Sequence, residues 1–268
     1  MHGQNVLITG ANTGIGLATA TSLAALGARV FIACRNVEQA RAAAPTLEVL
    51  PLDLGSFGSV RACAARFAEL QLPLHVLINN AGVAGKRALT ASGFELAFGV
   101  NHLGHFLLTE LLLPQLRAAE RARVVTVSSK AHYDARGIDW QAVTQKTRTL
   151  IGLREYCTSK LANVLFSAEL ARRLAGSNIT TYSLHPGVIA SDAWRHMPQP
   201  LRWVYTRGML TTEQGAQTTI HCASAPELAH ETGLYYHHQG PRAPSPLARD
   251  TRLAAELWER SEAWTRAD

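Results

Sequence analysis

In the stretch "EYCTSKLAN" (155–163), a tyrosine and a lysine, Tyr156 and Lys160, stand four residues apart. The segment reads as a helix, and a period of 3.6 residues stacks the two side chains one turn apart on a single face. A phenol has a pKa near 10 and exchanges its proton slowly at neutral pH. A neighbouring ammonium favours the phenolate and so makes a usable acid/base group. The chain holds six tyrosines and four lysines (Lys86, Lys130, Lys146 and Lys160). Chance alone supplies such a pair roughly one time in ten, so the pair needs company.

A second candidate lies at the start of the chain. The apolar run "NVLIT" (5–9) leads into "TGANTGIG" (9–16), with Gly10, Gly14 and Gly16 in the spacing G-x-x-x-G-x-G and Asn12, Thr13 and Ile15 between them. Glycines here permit a tight turn and a close approach of backbone amides to a pyrophosphate, whose charge is favoured at the N-terminus of the helix that follows. The next apolar strand ends at Cys34, and Arg35 follows it. An acidic residue at this place would accept bonds from the free ribose hydroxyls of NAD. Arginine instead presents a planar fork suited to a phosphate.

The elements that must position these groups alternate along the whole chain. Runs at 5–9, 28–34, 47–53, 74–80, 122–129, 179–185 and 233–238 read as strands. Helical stretches fall between them, at about 14–26, 36–44, 57–70, 91–119, 153–175, 212–224 and 246–263. Nearly continuous apolar strands in βαβ order predict an α/β fold with a seven-stranded parallel sheet covered by helices on both faces. Two irregular stretches, 130–152 and 186–211, follow strand ends, where an open α/β sheet binds its ligands, and so read as site-building loops.

The composition narrows the function classes. With 268 residues, 47% hydrophobic and 17% charged, one large domain over 1–268 is expected. The net charge of +6 comes mainly from scattered arginines, as in "RAAERAR" (117–123), without aromatic interleaving, which argues against a nucleic-acid partner. Cys34, Cys63, Cys157 and Cys222 have no paired spacing, so neither a zinc site nor a disulfide framework is suggested, and a reducing compartment fits. Of the eleven histidines, His102 with His105 and the His237-His238 pair invite a metal, but no cysteine or clustered carboxylate accompanies them; packing or surface roles are expected. No stretch reaches membrane-spanning length without charge or turn residues, so no span is expected and the protein reads as cytoplasmic.

Taken together, "TGANTGIG", "LDL" (52–54), "NNAG" (79–82), "NHLGHF" (101–106), "VSS" (127–129), "YCTSK" (156–160) and "HPGVIAS" (185–191) resemble the short-chain dehydrogenase/reductase family almost end to end. "ACRN", "VSSKAH", "YCTSKLAN" and the tail "PSPLARDTRLAAELWERSE" resemble its retinol dehydrogenase and carbonyl reductase branch, although no N-terminal membrane anchor precedes the first strand. The resemblance implies a single Rossmann domain and an NADP(H)-dependent oxidoreductase, preferring NADP(H) to NAD(H), that interconverts an alcohol and an aldehyde or ketone. Tyr156 would be the general acid/base, and Lys160 would tune it and bond the nicotinamide ribose. Ser129 would hold the substrate oxygen, with Ser128 as the competing serine, and the amide of Asn101 would support a proton relay beside Lys160. For the cofactor, Asp53 with Leu54 would contact the adenine, Asn79 and Ala81 would border the adenosine ribose, Gly82 would belong to the same cofactor site, and Val188 and Ser191 would hold the carboxamide after the Pro186-Gly187 turn. The loop 186–211, rich in Trp194, Met197, Trp203, Tyr205 and Met209, would receive a bulky, largely apolar substrate. A homodimer or homotetramer is implied through the helices at 91–119 and 153–175. Two rivals share parts of the pattern: an epimerase or dehydratase, which uses a similar Tyr-Lys pair on a longer chain, and a redox sensor that binds the nucleotide without catalysis.

Overall fold

The computed structural model describes residues 1–187 and 210–266. The strands are β1 (Asn5–Thr9), β2 (Arg29–Cys34), β3 (Glu48–Pro51), β4 (Val76–Asn79), β5 (Ala122–Val127), β6 (Ile179–His185), β7 (Leu234–His237) and β8 (Gly240–Pro241). They form one sheet in the order β3-β2-β1-β4-β5-β6-β7-β8. All pairings are parallel except the last, in which β8 runs back along β7. This eighth strand corrects the expected seven. It is two residues long and is reached through His238 and Gln239, both at positive φ without being glycine, so neither its length nor its turn chemistry announces a hairpin.

Apolar runs in the central strands are explained by burial on both faces. Leu7 belongs to one core, with Phe31, Leu77 and Val124; its neighbours Val6 and Ile8 belong to the other, with Ile32, Ile78 and Tyr182. Helices Phe57–Glu69, Leu153–Arg173 and Thr251–Arg266 cover the first core, and helices Gly14–Ala25 and Thr212–Ser224 the second. β1 has β2 on one side and β4 on the other, so the crossovers reverse direction there and open a crevice beyond the carboxyl ends of the strands.

The helix expected from residue 91 begins at Leu96 and runs to Arg117. Its first turn is capped by the buried Glu95, whose Oε2 accepts from the Phe98 N–H at 2.8 Å. Residues Gly99–Leu103 form a π turn within it, carrying Asn101. By length and composition this helix could cross a membrane, but it carries Gly104, Glu110 and Pro114 within it, the charge and turn residues on which the expectation of no span rested. Of its most apolar window, 72% is buried inside the fold, which accounts for the hydropathy by core packing.

Candidate functional site

The turn after β1 and the ends of β2, β3 and β4 enclose a cleft of about 560 Å³ lined by Gly10, Asn12, Thr13, Ile15, Gly16, Arg35, Asp53, Leu54, Ala81 and Gly82, among others. Gly10 and Gly14 take positive φ. A Cβ on Gly10 would lie 2.8 Å from that of Ala81, and one on Gly16 would lie 2.6 Å from Asn80 Nδ2 and 2.7 Å from the Gly10 carbonyl oxygen. Only glycine lets these segments close on one another. Thr13 occupies the N-cap of helix Gly14–Ala25 but makes no side-chain cap bond, which leaves first-turn amides to an anion. The donor set and the Cβ-free cradle therefore fit a dinucleotide. Arg35 is exposed at the mouth, beyond an Asn12 to Gln39 side-chain bond of 2.9 Å. Asp53 lines the cleft while its Oδ1 accepts from the Gly55 N–H at 2.9 Å, so it also shapes the turn.

The helix Leu153–Arg173 carries Tyr156 and Lys160 to the end of β5. Lys160 is buried, and its Nζ donates to the Val127 carbonyl at 3.0 Å and lies 5.6 Å from the centre of the Tyr156 ring. Burial depresses its pKa to about 8. Burial also pushes the Tyr156 phenol up from its ordinary value, against a hydrogen bond from Ser129 that pulls it down. The ammonium is aimed at a backbone carbonyl, and the desolvation of the phenolate outweighs the favourable contacts. Ser129 caps the 3₁₀ turn Lys130–Asp134 and faces the phenol, whereas the Ser128 hydroxyl is buried and donates to the Lys160 carbonyl at 2.7 Å. Of the two serines, Ser129 is thus the one available to a substrate.

Asn101 is wholly buried. Its Oδ1 accepts from the Val83 N–H at 2.8 Å, and its Nδ2 donates to the Val83 carbonyl at 3.0 Å and to Ser159 Oγ at 2.9 Å. A Cβ on Gly82 would stand 3.5 Å from both Asn101 Oδ1 and Lys160 Nζ, so the two groups meet beside the cleft wall. Asn101 ties the loop after β4 to the helix of Tyr156, and the π turn aims it there.

One expected cofactor residue is corrected. Asn79 is fully buried and donates through Nδ2 to Thr109 at 3.0 Å, turned from the cleft, while Asn80 lines it and donates to the Thr9 carbonyl at 2.8 Å. Side chains alternate at a strand end, and "NNAG" does not say which asparagine faces out. Pro186 and Gly187 end β6, with Gly187 at positive φ; Val188, Ser191 and most of the loop 186–211 lie outside the described residues. Sequence reasoning missed Thr9, whose Oγ1 accepts from the Asn80 and Ala81 N–H groups at 3.0 Å, and Ser159, which holds Asn101. A threonine closing β1 inside the glycine motif was the available signal for the first. His102 and His105 are buried and bonded to Ser261 and Thr9, so they pack rather than present a cluster.

The short chain dehydrogenase family model matches residues 4–201. Human retinol dehydrogenase 12 is 46% identical, over 96% of this chain and 85% of its own. The WW domain-containing oxidoreductase of Danio rerio is 41% identical, over 98% of this chain and 69% of its own. Among solved structures, an uncharacterised protein of Mycobacterium paratuberculosis superposes with a TM-score of 0.80 at 38% identity, over 99% of this chain and 94% of its own. A Pseudomonas aeruginosa RhlG/NADP active-site complex superposes with a TM-score of 0.72 at 29% identity, over 88% and 94%.

Proposed function

Because the chain belongs to the short-chain dehydrogenase family, whose members are oxidoreductases, we propose that it is an NADP(H)-dependent enzyme interconverting an alcohol and an aldehyde or ketone, with Tyr156 as the general acid/base. The observation that carries the reading is the meeting of Tyr156, Ser129, Lys160 and Asn101 at the rim of a glycine-built cleft.

The bound nicotinamide would supply or accept the hydride. In the reductive direction Ser129 holds the carbonyl oxygen of the substrate by its hydroxyl, and Tyr156 gives that oxygen its proton. A phenol pushed above its ordinary pKa is fully protonated at neutral pH, which suits a donor. Once the proton has left, the phenolate is stabilised by the Lys160 ammonium, which stays charged below about pH 8. Asn101 keeps the loop after β4 closed against Ser159, so that the phenol and the cleft wall hold a constant separation. Arg35 at the mouth supports a preference for NADP(H), because its guanidinium can pair with a 2′-phosphate.

By likeness to relatives named retinol dehydrogenases, the substrate is bulky and largely apolar. NADPH consumption with straight-chain aldehydes tests both levels. KM should fall as the chain lengthens, by up to about 0.8 kcal/mol of binding per buried methylene. A flat dependence refutes the apolar pocket, and no consumption with any carbonyl refutes the enzyme.

A further inference from the structure

A second hollow lies at the carboxyl ends of β6 and β7. It measures about 280 Å³ and is lined by Lys130, Tyr133, His185, Tyr235, His237 and Arg242. Strand register sets His185 beside His237, with ring centres 5.0 Å apart. Lys130 directly follows Ser129, and His185 directly precedes the Pro186-Gly187 turn. The hollow therefore borders the proton-transfer groups, yet among the described residues it shares no lining residue with the nucleotide cleft.

Its chemistry is one-sided. Among the described residues that line it there is no carboxylate, and two, Lys130 and Arg242, are exposed cations. Arg242 Nη1 donates to His237 Nδ1 at 3.1 Å, so that imidazole is neutral and carries its proton on Nε2, as a donor. His185 is only 5% exposed, and its Nδ1 has no hydrogen-bond partner among the described residues. Burial, then the neighbouring His237, His238 and Lys130, depress His185 to about 4. Both imidazoles are therefore neutral, and Lys130 and Arg242 are the charges that a negative group would pair with. Burial also keeps the Tyr235 phenol protonated. The nearby Asp134 acts on His132, and Glu231 bonds Tyr236, which belongs to the core on the other face of the sheet.

We propose that this pocket binds a small oxyanion, a carboxylate or a phosphate, between Lys130 and Arg242 with the His185 and His237 imidazoles completing the donor set. The link to the chemistry runs through His132. That fully buried ring donates from Nδ1 to the Ser129 carbonyl at 2.7 Å, because its Nε2 accepts from the Ser245 N–H at 3.1 Å. Its ring lies 4.8 Å from that of Tyr235, and so an anion held in the pocket sits one aromatic contact from the backbone of Ser129. The oxyanion is either the far end of the carbonyl substrate or a free ion acting beside it. The first case rests on the oxidoreductase reading.

Calorimetry and kinetics on the full chain separate these cases. With the protein saturated with NADPH, so that the Arg35 end of the cleft is filled, inorganic phosphate and glutarate are titrated into the wild type and into the Lys130→Gln/Arg242→Gln double variant. Both residues are exposed, and the Arg242 N–H to Tyr235 carbonyl bond is kept. Binding to the wild type should be one to one and should weaken by roughly 10- to 100-fold in the variant, the loss expected for charged hydrogen bonds. Turnover of pentanal and of 5-oxopentanoate is then compared. A fall of about 10-fold or more in kcat/KM for the oxo acid alone identifies the pocket as a substrate subsite. A phosphate effect on pentanal turnover that disappears in the variant identifies a free ion. Phosphate and glutarate that bind both proteins equally, or neither, overturn the proposal. Calorimetry needs no turnover, so a wild type that reduces no aldehyde refutes the oxidoreductase reading and leaves the anion result standing.

Discussion

Replacing Lys160 with methionine should make the protein without cofactor more stable while removing its activity. The ammonium is 4% exposed, and burial lowers its pKa from the ordinary 10.5 to about 8. At 1.36 kcal/mol per tenfold in proton affinity, the folded state bears about 3 kcal/mol for holding the charge. The unfolded chain keeps its proton up to about pH 10.5, so between pH 8 and 10.5 it binds more protons than the folded one. Wild-type stability should therefore rise with pH across that window, and the whole cost should be present below pH 8. Methionine keeps most of the stem and drops the charge. The Val127 carbonyl retains a donor, since Asn163 Nδ2 also reaches it at 3.1 Å. Urea unfolding without NADPH should find Lys160→Met about 1 to 3 kcal/mol more stable than wild type at pH 7, with the gap narrowing towards pH 10. Turnover should be lost, as expected where function keeps a destabilising group. A variant less stable than wild type at pH 7, or a gap that does not change with pH, would refute the reasoning.

Tyr156→Phe deletes the proton donor and keeps the ring, so kcat should fall by about 10²- to 10⁴-fold while fluorescence titration shows NADPH still bound. Arg35→Ala should weaken NADPH by about 1.5 to 3 kcal/mol and leave NADH almost unchanged; equal losses would make Arg35 structural. Gly16→Ala places a methyl group 2.6 Å from Asn80 Nδ2 and 2.7 Å from the Gly10 carbonyl oxygen. The cradle must then open, at about 1 to 3 kcal/mol of overpacking, with a lowered Tm and weakened binding of both cofactors. Wild-type NADPH affinity in that variant would show that the turn is not the cradle.

Local pattern was enough for whatever depends on neighbours in the chain. Alternating apolar runs and helical periods located the parallel strands and the helices between them, because sheet burial on both faces imposes continuous hydrophobicity. The glycine spacing at 10, 14 and 16 was legible because positive φ and close approach leave no other residue. The Tyr156 and Lys160 pairing needed only the pitch of a helix. Only tertiary structure could decide what depends on segments far apart. It turned Asn79 towards Thr109 and Asn80 to the cleft, set Asn101 in a π turn against Val83 and Ser159, and folded Gly240–Pro241 back along β7 as β8. It also set how deeply the phenol and the ammonium are buried. Spacing reveals that a lysine is near, but the cost of desolvating both groups is a sum over every element packed round them, and that sum is written nowhere in the residues between 156 and 160.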